Sequence, residues 1–70
     1  MKTNELKLND HWINQLIGMP ESGMGFQLVK VILKGGKVLN KHKVLNSSVL
    51  LLDENEHVQV TDIEKIELEN

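Results

Sequence analysis

Seventy residues make one domain, and a chain of that length buries only about 60% of its unfolded surface, so its core is small. The absence of cysteine excludes a disulfide framework and thiolate zinc sites, and it fits a reducing cytoplasm. The net charge of −2 conceals an asymmetry: residues 30–52 carry five lysines and no acid, whereas residues 53–70 carry seven acids and one lysine.

The overall charge argues against strong non-specific nucleic-acid binding, while the local charge leaves a polyanion site open. Asn4, Glu5 and Lys7 interrupt any signal-peptide core, and the longest apolar run, Val49 to Leu52, is far too short to span a membrane. A cytoplasmic protein without a membrane partner is expected. Self-association is the remedy to keep in mind for so small a core.

Residues 1–8 alternate Leu6 and Leu8 with Glu5 and Lys7, which suits a short edge strand or an ordered arm. Asn9 and Asp10 are good helix-capping residues, and Trp12, Ile13, Leu16 and Ile17 follow at helical spacing. A helix over about residues 10–17 is predicted, ending at Gly18, with Trp12 as a core anchor. Met19 to Gly25 is a loop by its proline and glycine content.

The stretch from Phe26 to Asn46 reads as a β-hairpin about Gly35-Gly36, a pair suited to a two-residue turn with positive φ at both positions. In that register Lys30 faces Lys41 and Leu28 faces Lys43. Alternation puts Val29, Val31, Leu33, Val38, Asn40, His42 and Val44 on the core face. The other face holds Leu28, Lys30, Ile32, Lys34, Lys37, Leu39, Lys41 and Lys43, and its opposed lysines disfavour the pairing slightly unless something relieves them.

Asn46-Ser47-Ser48 is a second turn, Val49 to Leu52 a short buried strand, and Asp53 to Glu56 a third turn. Val58 and Val60 alternate with polar neighbours as a fourth strand. Thr61 and Glu64 match a capping box for one helical turn, which leads into a last strand holding Ile66 and Leu68.

This order, carried by the Gly-Gly hairpin, the Asn-Ser-Ser turn and the "TDIEKIEL" end, resembles the small SH3-like and Sm-like β-barrels over residues 26–69. The preceding helix resembles the Sm-like arrangement in particular. The resemblance implies a mainly β fold of about five antiparallel strands with a short N-terminal helix. Sm-like proteins bind RNA through two turn motifs that cannot be placed on "VLNSSVLLL" and "VQVTDIEKI". The aromatic groove that SH3 domains use has only Trp12 and Phe26 to draw on here. The "MPESGMGF" segment also resembles one in small bacterial proteins of unassigned activity. Fold alone does not carry function across such superfolds.

Two stretches are candidate sites for a partner. The lysines Lys30, Lys34, Lys37, Lys41 and Lys43 offer a basic strand pair for phosphates or an acidic protein; the competing reading is a solvated face, or one matched by the acidic C-terminal strand. The loop offers Met19 and Met24 as adaptable apolar contacts beside Glu21 and Ser22; alternatively it is a connector that completes the core. Ser22 lacks the glycine two residues before it that a nucleophile elbow requires.

His11, His42 and His57 are not at ligand spacing, so no metal site is predicted, and His42 reads as a hydrogen-bonded residue of the core face. Phosphate-loop, dinucleotide and EF-hand patterns are absent, so no cofactor is expected. The functional expectation is a non-catalytic protein-interaction or self-assembly module. The alternative is a small β-barrel that binds single-stranded RNA or DNA through the lysine face.

Overall fold

A computed structural model describes residues 4–69. Asn9 opens the helix α1, Asp10–Ile17, by accepting a hydrogen bond from the Trp12 backbone N–H at 3.3 Å. Eight residues are too few for a stable helix in water, so α1 depends on docking. It buries Trp12 and Leu16, which together contribute about 3–6 kcal/mol of apolar burial.

The strands are β1 (Asn4–Lys7), β2 (Phe26–Leu33), β3 (Val38–Leu45), β4 (Val49–Leu52) and β5 (Ile63–Leu68). They form one antiparallel sheet in the order β1-β4-β3-β2-β5. The chain therefore has the mainly β fold of five antiparallel strands and a short N-terminal helix that was expected. No pairing joins β1 to β5 among the described residues, so the sheet is open rather than a closed barrel. Leu8, Trp12, Leu16, Val29, Val31, Leu39, Val44, Leu50, Leu52, Ile63 and Ile66 make the core.

The N-terminal edge strand forms as expected over Asn4–Lys7, whereas the expected strand at Val58 and Val60 does not. The edge of β4 is taken by β1, with Leu6 opposite Leu50. Residues 1–3 of the expected N-terminal strand lie outside the described residues. With that edge filled, Val58 and Val60 pack on the core without joining the ladder. The helical turn is a 3-10 turn over Val60–Asp62, in which the Asp62 carboxylate accepts from the Gln59 N–H at 3.0 Å. Thr61 and Glu64 do not form the expected box, because Ile63 turns into the core and starts β5.

The β2–β3 hairpin also departs from its expected register. Phe26 to Val29 pair with Leu45 to His42 as predicted, but Val31 pairs with Leu39 and Ile32 with Val38. The Leu33 N–H donates to the Lys37 carbonyl at 2.8 Å, and the Gly36 N–H to the Leu33 carbonyl at 2.9 Å. The turn is thus three residues long, with positive φ only at Gly36 (94°). The residue gained at the turn is absorbed by a β-bulge opposite Lys30, where Lys41 takes a left-handed φ of 54°. Leu39 is consequently buried (3% exposed) and Val38 outward (41%), the reverse of the predicted faces, while Asn40 is exposed. Paired positive φ values occur instead at Asn46 and Ser47 in the next turn.

Candidate functional site

The bulge breaks up the lysine face. Lys30 lies opposite Glu67 on β5, with its ammonium 3.5 Å from that carboxylate. Lys65 approaches the same carboxylate at 3.1 Å. Hydrogen bonding to Lys65 and its charge, with a smaller contribution from Lys30, hold Glu67 below the usual carboxylate range. Lys43 stands 5.0 Å from the centre of the Phe26 ring, a cation–π distance. The backbone N–H of Lys41 donates to the Glu69 carboxylate at 2.6 Å. Lys34 is exposed at the turn, where its N–H donates to the Asp62 carbonyl at 2.9 Å. Lys37 shares the side of Leu39 by alternation, and its charge helps to lower the Glu56 pKa. The five lysines therefore do not form one uniform patch.

The loop is ordered by its own backbone. The N–H groups of Ser22 and Gly23 both point to the Phe26 carbonyl, at 3.0 and 3.3 Å, and the Ser22 hydroxyl accepts from the Leu28 N–H at 2.8 Å. Gly25, with φ of 77°, offers its carbonyl to the Asn46 N–H at 3.1 Å. Met19 packs against the core, and Glu21 and Ser22 are exposed. At the tip, Met24 is 98% exposed.

A third cluster joins residues that sequence spacing does not connect. The His42 Nε2 lies 2.7 Å from Glu56 Oε1, and its Nδ1 lies 2.7 Å from the Asn40 carbonyl. A carbonyl only accepts, so Nδ1 carries a hydrogen. Glu56 Oε1 also accepts from the Asp53 N–H at 2.8 Å. Donor atoms of His42, Asp53 and Glu56 all lie within 4.8 Å of one another. Asn4 fixes the turn from outside: its amide nitrogen lies 3.1–3.2 Å from the carbonyls of Asp53, Glu54 and Glu56.

Burial alone would push the His42 imidazole down. The Glu56 and Asn40 hydrogen bonds and the charges of Glu56 and Asp53 outweigh it and hold the pKa above its ordinary value. Burial likewise works to raise Glu56, but the Asp53 N–H, His42 and Lys37 hold it below the usual range. The signal missed in the sequence was the Asp53–Glu56 turn brought against a histidine on a different strand. No local spacing encodes that meeting.

No family model matches the chain, and comparisons with curated proteins and with solved structures find no match either. Among the described residues no helix is long and apolar enough to cross a membrane.

Proposed function

We propose that the chain is a non-catalytic protein-contact module whose binding element is the loop ending in Met24. One observation carries this reading: a short loop held by backbone hydrogen bonds keeps a methionine 98% exposed at its tip. A flexible, polarizable side chain on an ordered support is suited to an apolar protein surface, and the ordering entropy of the loop is already met. Ile17, at the end of α1 just before this loop, is also largely exposed. A second copy of the chain is the first partner to test.

Sedimentation velocity at high micromolar concentration should detect a dimer or larger species in the wild type and a monomer in Met24→Asp, with equal thermal stability. A monomeric wild type removes the self-association form of the proposal. A benzophenone side chain at position 24 then tests for another protein in cells, against a control at exposed position 64. Equal crosslinking at the two positions would reject the loop as a contact.

The nucleic-acid reading draws support from Lys43 beside Phe26, an aromatic ring next to a lysine of the hairpin. Against it stand Glu67 and Glu69, which bring negative charge to Lys30 and Lys41. It predicts salt-sensitive binding of mixed-sequence oligonucleotides that disappears in Lys30→Glu/Lys41→Glu/Lys43→Glu.

A further inference from the structure

We propose that His42, Asp53 and Glu56 form a binding site for a divalent transition-metal ion of the zinc class. The three side chains contribute one imidazole nitrogen and two carboxylates, within 4.8 Å of one another. This donor set suits zinc or cobalt better than magnesium or calcium, which favour oxygen throughout. The His42 ring is oriented as a metal-bound imidazole usually is: Nδ1–H donates to the Asn40 carbonyl, which leaves Nε2 directed at the Glu56 carboxylate. Two carboxylates and a neutral imidazole together carry the charge that a dication balances.

Only small movements complete the geometry. Tetrahedral zinc with bonds of about 2.0–2.2 Å places its donor atoms about 3.3–3.5 Å apart. The Nε2–Oε1 distance of 2.7 Å must open slightly, and the ion takes the place of the hydrogen between those atoms. Asp53, whose side chain is exposed, has the freedom to rotate inward. The supporting backbone is already set, because the 53–56 turn closes through the Glu56 N–H to Asp53 carbonyl bond and is held again by Asn4.

Two open clefts flank the cluster, one reaching His42 and Asp53 beside Asn40 and Leu51, the other reaching Glu56 beside Asn4 and Val58. They admit water to complete the coordination. The ion would tie β3 to the turn after β4, beyond the ladder pairs Val44–Leu50 and Leu45–Val49 that join β3 to β4. For a cysteine-free chain with a small core, such a thiolate-free staple adds stability to the folded state.

Isothermal titration with Zn²⁺ and the visible absorption of Co²⁺ test the site in the full chain at neutral pH. One ion per chain is expected, with a rise in thermal midpoint that Mg²⁺ and Ca²⁺ do not reproduce. His42→Gln and Glu56→Gln should each weaken Zn²⁺ at least about tenfold, whereas His11→Gln/His57→Gln should bind within about threefold of wild type. Imidazole ¹⁵N shifts should assign the ion to His42 Nε2, and circular dichroism should confirm that each variant is folded. Glu56→Gln keeps the test decisive if His42→Gln unfolds. Absence of Zn²⁺ binding, retention of it in folded Glu56→Gln, or loss of it only in His11→Gln/His57→Gln would overturn the proposal.

Discussion

The Gln27 side-chain amide donates to the Leu16 carbonyl at 2.8 Å from a position only 1% exposed. The same nitrogen reaches the Met19 carbonyl at 3.2 Å, and the Ser47 hydroxyl donates to the Gln27 oxygen at 3.3 Å. One glutamine on β2 thus serves the Met19 carbonyl and adds a second donor to the Leu16 carbonyl, which the Met19 N–H also reaches at 3.0 Å, and so ties the end of α1 to the sheet. Gln27→Leu keeps the bulk but takes this donor from the Met19 carbonyl, so it should destabilise by about 1–2 kcal/mol. Urea denaturation should give a lower midpoint at an unchanged slope.

The glycines of the hairpin turn are not equivalent. Gly36 has φ of 94° and Gly35 does not take a positive φ, and a Cβ at either would meet open space. Gly36→Ala should therefore cost about 1 kcal/mol through backbone strain alone. Gly35→Ala should be neutral or slightly stabilising by restricting the unfolded chain. Equal losses at the two positions, measured by thermal melts, would restore the two-residue turn.

Val38 and Leu39 provide a second measure of the register. Leu39→Ala should destabilise by about 2–4 kcal/mol, as truncation of a buried leucine does. Val38→Ala should stay within about 0.5 kcal/mol, because its side chain faces outward. Chemical denaturation of the pair distinguishes the bulged strand from an unbroken one, which predicts the opposite ranking.

The His42–Glu56 pair makes stability depend on pH in two windows. The His42 pKa is raised in the folded state, so its contribution is complete below its ordinary value of 6.5 and is lost as pH rises through the folded value. The Glu56 pKa is lowered, so its contribution is present above its ordinary value of 4.5 and is lost as pH falls through the folded value. Between those ordinary values both contributions are intact. Urea midpoints measured from pH 4 to 9 with a chelator present should fall toward each end more steeply in wild type than in His42→Gln; parallel curves would count against the pair.

Local chemistry made much of the fold legible. Asn9 as a cap, the 3.6-residue spacing of Trp12, Ile13 and Leu16, and the alternation through Phe26 to Val31 all act within a few residues of themselves. The bulge at Lys41 was not legible, because a lysine in left-handed conformation is imposed by what lies across the strand rather than by its own preference. Gln27 was overlooked for a related reason: a polar residue in a core position signals its role only once the end of α1 is placed above it. The loop was recognisable from its glycines and proline, but the exposure of Met24 and the burial of Met19 required the structure. His42 was placed near the core by alternation, yet its meeting with Asp53 and Glu56 depends on how β3 lies against the following turn.

Asn4 reaches its partners across nearly the whole chain: it pairs with Leu52 and binds carbonyls as far as Glu56. Likewise β2, near the start, waits for β5 at residues 63–68 to cover its second edge. During synthesis, therefore, the earliest strand stays without its partner until β4 has emerged, and β2 remains half-paired longer still. Contacts so distant in sequence slow folding and prolong the life of an exposed strand edge. Nascent chains stalled before β4 should be protease-sensitive over β1, and chains stalled before β5 over β2, with protection of β2 appearing only once Leu68 is clear of the ribosome; protection of β2 acquired earlier would show that the hairpin suffices as a nucleus.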